Sequence, residues 1–195
     1  WVYNFTLPPL SIFTLMFGDA TQIRKWSMGM PPAPPGTSYL NFLSSHDGVG
    51  LRPIEGVLTD QQLDQMVSQL EHNGSLFSWR NISQSEQKIY EANITLFDAL
   101  SKTPSDPTGE FRIQRYLAAN CIMLGFEGVP AFYLNALVAT RNDVEAVSKT
   151  GSNRTINRHK WSKTELEKRL KSSNNIESLV SVSYTHLRAH ETFAN

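Results

Sequence analysis

"NFLSSHDGVG", residues 41–50, runs out of an apolar stretch into a histidine and an aspartate and then turns on two glycines. The longer segment "TSYLNFLSS" (37–45) reads as a mostly buried strand, stopped by the Gly48/Gly50 turn. His46 and Asp47 then stand at the strand's C-terminal end. In a β/α barrel, side chains at that end point into a shared site. A carboxylate there can coordinate a metal, act as a base, or stabilise cationic charge on a sugar. Asp-Gly is also an ordinary turn pair, so position alone leaves a turn and a site both open.

On the N-terminal side, "WVYNFTLPPL" (1–10) alternates Val, Tyr and Phe like a short strand ended by two prolines. "LSIFTLMFGDATQIRKW" (10–26) is apolar at helical spacing, with an interruption expected at Gly18 and Asp19. "MPPAPPG" (30–36) can only be a connector. On the C-terminal side, "TDQQLDQMVSQLEHNG" (59–74) predicts a helix. Thr59 or Asp60 caps it, Leu63, Met66, Val67 and Leu70 form its apolar stripe, and Gly74 closes it. "SLFSWRNISQSEQKIYEAN" (75–93) is polar and reads as an inserted loop region. "SDPTGEFRIQRYLAANCIMLGF" (105–126) predicts a long buried helix behind cap residues, with Cys121 as a packing residue. "GVPAFYL" (128–134) reads as a strand, 135–159 as a long loop suited to function, and "WSKTELEKRL" (161–170) as a helix. The alternation of strand and helix implies an α/β fold with parallel strands, too few of them to close a barrel.

Composition excludes several classes. Lys plus Arg and Asp plus Glu both number 18, so nothing advertises nucleic acid or an anionic membrane surface. The apolar runs are too short to span a bilayer. A single cysteine excludes a disulfide framework and favours a reduced, cytoplasmic setting. Asn-X-Ser/Thr sequons at Asn4, Asn73, Asn81, Asn93 and Asn153 are read as chance. No Gly-rich phosphate cradle, Cys/His cluster or Ser-His-Asp order appears, so neither a cofactor nor a metal is expected.

One segment stands apart. Back-translated, "VSYTHLRAHET" (182–192) resembles a transposon-end adapter of sequencing libraries read as coding sequence. Residues 181–195 are therefore expected to be an artefact, and the pair His186 and His190 loses its interest as a metal motif. The rest, without a starting Met, is expected to be a fragment.

"FLSSHDG" resembles the fourth conserved region of glycoside hydrolase family thirteen, the α-amylase superfamily. With "VYNFTLPPL", "YEAN", "GVPAFYL" and "RNDVEAV…NRTINRH", the chain is similar from about residue 2 to 170 to the sucrose phosphorylase and glucosylglycerate phosphorylase subfamily. The resemblance implies a partial (β/α)8 TIM barrel. Residues 1–180 would be the C-terminal strands of the catalytic barrel, with an insert at about 52–93. It also implies transfer of glucose from sucrose or glucosylglycerate to inorganic phosphate, giving α-glucose 1-phosphate. A glucosidase or transglucosidase of the same superfamily, or a dead carbohydrate-binding relative, are the rival readings. The substrates would be a small glucosyl donor and phosphate, and a homodimer is compatible with it.

By that resemblance Asp47 is the transition-state stabiliser, while the Asp nucleophile and Glu acid/base would lie upstream of Trp1. His46 would donate to the glucose and Arg158 would hold its far hydroxyl, with Asn157 beside it. Tyr90 would face the phosphate and acceptor side. Glu91 stands where sucrose phosphorylases carry Gln, which points to the glucosylglycerate type, whereas His159 matches the sucrose type. Asn142 and Asp143 are expected to hold the loop through capping and side-chain-to-backbone bonds.

Overall fold

A computed structural model describes residues 1–83, 87–172 and 175–181. Its strand β1 (Val2–Tyr3) is followed by helix α1 (Leu7–Phe17). Pro8 and Pro9 open that helix rather than closing the strand, because first-turn prolines lack only N–H groups that would go unpaired anyway. Leu7, Leu10, Ile12, Phe13 and Met16 are all buried, as befits a helix apolar all round. The expected interruption is real: Gly18 ends α1 with φ of 68°. Asp19 Oδ1 then accepts from the Thr21 N–H at 2.8 Å as α2 (Thr21–Gly29) begins.

Strand β2 is only Tyr39–Asn41, shorter than the expected 37–45, and β3 follows at Val49–Gly50. A 3-10 turn at Arg52–Ile54 leads to α3 (Asp60–His72). Thr59 is the cap. Its Oγ1 accepts from the Gln62 N–H at 3.2 Å, and Gln62 Oε1 accepts from the Thr59 N–H at 3.0 Å, a reciprocal capping box. Met66 and Leu70 of the stripe reach the core fully, with Leu63 and Val67 packed on its margin.

Residues 75–93 are not a loop region. They form β4 (Leu76–Asn81) and β5 (Gln87–Asn93), antiparallel, with β3 on the other side of β5. Ser78 pairs Glu91 but Trp79 pairs Ile89, so Tyr90 is an extra residue bulged from β5. The bulge shifts the phase of the alternation halfway along the strand. That shift hides the period-two signal in the sequence.

Short helix α4 (Leu96–Ala99) precedes α5, which covers Arg112–Leu124 rather than all of 105–126. Residues before it wrap on Asp106, whose carboxylate accepts from the N–H groups of Glu110 at 3.0 Å and Phe111 at 2.9 Å and from Arg115 at 2.8 Å. Tyr116, Ala119, Asn120 and Met123 form the buried face of α5. Cys121 lies on the opposite face and is exposed, so it does not pack as expected. Strand β6 is Val129–Pro130. The expected loop at 135–159 contains helix α6 (Leu134–Leu137), helix α7 (Val144–Thr150) and a 3-10 turn at Asn153–Asn157. Helix α8 (Lys163–Lys171) is capped by Ser162. The segment read as an adapter lies, from residue 182 on, outside the described residues, as do His186 and His190.

Strands β1, β2 and β6 form a parallel sheet in that spatial order. Asn41, fully buried on the middle strand, accepts from Asn4 Nδ2 at 2.9 Å and donates to the Glu127 carbonyl at 3.0 Å. One amide thus ties all three strand regions together. Asn4 and Asn93 are buried, which leaves no room for a glycan at either sequon.

Candidate active site

The three parallel strands end on one side, and the residues after them surround a hollow. Tyr3 and Phe5 come from β1 and the residues just after it, Phe42 and Ser44 to Asp47 from the segment after β2, and Ala131 to Tyr133 from the segment after β6. The empty space is about 780 Å³, including the part open to solvent. Tyr3, Phe5 and Phe42 form an aromatic cluster with centroids 5.5 to 6.2 Å apart. An apolar wall with a few convergent polar groups is the usual form of a small-molecule site.

Asp47 is fixed at the edge of this hollow by glycine chemistry of an unexpected kind. Gly48 does not need a positive φ. A Cβ there would sit 2.4 Å from the Ala92 carbonyl oxygen and 2.7 Å from Glu91 Cγ. Only glycine lets the segment after β2 lie against β5. The Asp47 N–H also donates to Ser45 Oγ at 3.1 Å, and its carbonyl accepts from Asn157 Nδ2 at 3.2 Å.

The loop after β6 brings the cations. Asp98, buried on α4, accepts from Arg141 Nε and from the Asn142 N–H, both at 2.6 Å. Asn142 in turn accepts from the Thr95 N–H at 2.8 Å and donates to the Gly74 carbonyl at 3.2 Å. Asp143 caps α7 by accepting from the Ala146 N–H at 2.9 Å, and its other oxygen lies 2.7 Å from His159 Nδ1. Burial pushes the Asp143 carboxyl up, but the Ala146 and His159 hydrogen bonds, with the charges of His159 and Lys149, outweigh it and hold it below the usual range. Asn142 and Asp143 therefore hold the loop as expected. His159 does the same work, edge-on to Trp161 at 4.5 Å, and turns towards Asp143.

Held this way, Arg158 donates from Nη2 to Asp47 Oδ1 at 3.0 Å and from Nε to the His46 carbonyl at 3.0 Å. The two groups meet directly, where the sequence reading had a sugar between them. His46 Nε2 stands 3.7 Å from Asp47 Oδ2, with a largely exposed ring. Asn157 is buried, and its side-chain amide donates to the backbone carbonyl of Asp47 rather than to its carboxylate.

Two residues were missed. Arg154 forms a fork with Glu91, Nε to Oε1 at 3.1 Å and Nη2 to Oε2 at 2.9 Å, while its Nη1 lies 3.3 Å from Asp47 Oδ1. The hydrogen bond and charge of Glu91 raise Arg154 above its ordinary value; burial opposes this, and the charges of Asp47 and Tyr90 add to it. Two guanidiniums four residues apart thus converge on one carboxylate oxygen. Tyr133, three residues after β6 and just before α6, lines the hollow and donates its hydroxyl to the Asn157 carbonyl at 3.0 Å. Burial pushes its phenol up, against the Asn135 hydrogen bond and the Arg158 charge. Tyr90, in the bulge, acts on Arg154 electrostatically, and its carbonyl accepts from the Leu51 N–H at 2.9 Å.

Compared with curated proteins, the chain is 37% identical over 169 residues to the glucosylglycerate phosphorylase of Escherichia coli, covering 87% of this chain and 30% of that protein. It is 31% identical over 180 residues to the sucrose phosphorylase of Agrobacterium vitis, covering 88% and 34%. The chain is similar in sequence to glucosylglycerate and sucrose phosphorylases. It spans about a third of the length of these phosphorylases. Among solved structures, the sucrose 6F-phosphate phosphorylase of Thermoanaerobacter thermosaccharolyticum superimposes with a TM-score of 0.75 at 25% identity, over 92% of this chain and 34% of that one. No family model matches. Among the described residues, no cluster of His, Cys, Asp and Glu could hold a metal ion, and no helix is long and apolar enough to cross a membrane.

Proposed function

We propose that this chain is the part of a retaining α-glucoside phosphorylase that carries its transition-state-stabilising carboxylate. Asp47 carries the reading. It lies in the segment that follows a parallel strand on its C-terminal side, beside an aromatic hollow, with Arg158 on its carboxylate. In this reading residues 1–180 are C-terminal strands of a (β/α)8 barrel with an insert at about 52–93, residues 181–195 are adapter-derived, and β2 is the barrel's seventh strand. The nucleophilic Asp and the acid/base Glu of the double displacement lie elsewhere in the whole protein.

The whole enzyme takes glucose from sucrose or glucosylglycerate. Its acid protonates the departing oxygen as the nucleophile forms a glucosyl ester. A phosphate oxygen then attacks the same carbon, giving α-glucose 1-phosphate. Asp47 supplies preorganised negative charge beside the cationic ring of both transition states. His46, Arg158, Tyr90, Glu91 and Asn157 surround the sugar and its acceptor, directly or through Asp47. No cofactor enters this scheme, and we place the enzyme in the cytoplasm. The higher identity to the glucosylglycerate phosphorylase makes glucosylglycerate the donor to test first.

The test is release of glucose 1-phosphate by the full-length gene product from glucosylglycerate or sucrose plus phosphate. Turnover without phosphate would instead mark a hydrolase or transglucosidase, and no turnover of any glucosyl donor would overturn the reading. The 195-residue chain alone is expected to be inactive, since two of the three carboxylates are outside it.

A further inference from the structure

Glu91 is 5% exposed, and both of its carboxylate oxygens are engaged by one guanidinium. That leaves little of it for a substrate hydroxyl. The same guanidinium reaches Asp47 only through Nη1, at 3.3 Å and outside hydrogen-bond geometry, whereas Arg158 makes a full hydrogen bond to the same oxygen at 3.0 Å. Arg154 is therefore shared unequally between two carboxylates. A bidentate, charge-assisted pair is the stronger of the two arrangements, so Glu91 wins.

We infer that Glu91 is a positioning residue that acts on Asp47 through Arg154. By taking the fork of Arg154, Glu91 keeps that cation from closing on Asp47. The carboxylate at the hollow retains its charge and is oriented by Arg158 from one side. An amide at position 91 accepts through one oxygen only and carries no charge. Arg154 would then swing onto Asp47, neutralise it and turn it. The identity of residue 91 is thereby read by the glucose-side carboxylate before any acceptor molecule meets it. This rests on Asp47 facing the sugar as proposed above.

The experiment is a double-mutant cycle in the full-length enzyme with Glu91→Gln, Arg154→Met and both together. Arg154→Met alone strands a buried carboxylate and is expected to fold poorly, whereas the double variant removes one charge of each sign and keeps the cluster balanced. Thermal melting separates that folding effect, and Arg154→Lys, which keeps the charge without the fork, supplies a second folded variant. Glu91→Gln is expected to lower kcat on the order of tenfold, with KM for phosphate changed less than about twofold. In the Arg154→Met background the same change should cost nothing further. Glucose affinity, measured by calorimetry without turnover, should follow the same non-additive pattern.

Additive effects, or a Glu91→Gln effect confined to the KM of phosphate or glycerate, would overturn the inference and make Glu91 a direct acceptor contact. Absence of phosphorolysis in the unsubstituted enzyme would instead defeat the functional reading, and the glucose measurements would still decide the coupling. If glucose fails to bind the unsubstituted protein as well, both fall.

Discussion

Arg158 grips Asp47 at two levels, donating to its carboxylate through Nη2 and to the carbonyl of the preceding His46 through Nε, each at 3.0 Å. The first bond orients the carboxylate and the second holds the backbone that carries it. Only a planar guanidinium can do both from one side. Arg158→Lys keeps the charge and loses the fork. In the full-length enzyme it is expected to reduce kcat/KM on the order of a hundredfold. Because Arg158 is 41% exposed, the same change should alter stability by about 1 kcal/mol or less. Steady-state kinetics and a thermal melt on one preparation check both halves.

Gly48→Ala introduces a methyl carbon 2.4 Å from the Ala92 carbonyl oxygen, and that oxygen is backbone in a paired strand, so it cannot step aside cheaply. The expected cost is about 1–3 kcal/mol. Asp47 should be displaced with it, so activity should fall further than the loss of folded protein explains. Urea unfolding beside specific activity separates the two.

Asp98→Ala would leave the Asn142 N–H and the Arg141 guanidinium without their carboxylate. The part-buried backbone donor dominates the cost, about 1 kcal/mol or somewhat more. Asp98 does not line the hollow, yet it moors the loop that carries Arg154 and Arg158. Hydrogen exchange should accelerate across 139–159 and leave α1 unchanged.

Acid sensitivity should trace to Asp106. Burial pushes its carboxyl up, but the Phe111 N–H, Arg115 and the Glu110 N–H together pull it far below the usual carboxylate range. Its folded value is below its unfolded one. The stability it contributes is fully present above about pH 4 and is lost as pH falls through the folded value. Asp106→Asn should flatten the acid limb of a plot of urea midpoint against pH, and leave its neutral part lower.

How much of this was legible depended on whether a signal was local. Helix α3 could be read completely, because its cap, stripe and closing glycine are written in consecutive residues. The break at Gly18 was equally local. His46 and Asp47 stand out in the sequence because an apolar run gives way to a glycine turn there, although the strand itself stops earlier, at Asn41. The hairpin was lost to the bulge at Tyr90, and Pro8 and Pro9 were misassigned because a first-turn proline and a strand-ending proline look alike in sequence. Strands of two or three residues are set by pairing partners far along the chain, such as Leu40 with Val129, which no local pattern announces. Arg154 was overlooked inside a polar loop, although its spacing of four from Arg158 was a usable cue.

The bulge has a further meaning. On the β4 side the ladder reads Ser78 to Glu91 and then Trp79 to Ile89, a run that would stay continuous if residue 90 were excised. Strand β4 thus has no need of Tyr90, whose carbonyl serves Leu51 across the other edge while its side chain acts electrostatically on Arg154. A deletion there should still knit a hairpin. What it would remove is a side chain that architecture alone never asked for, and surplus of that kind is where selection on chemistry, rather than on folding, leaves its mark.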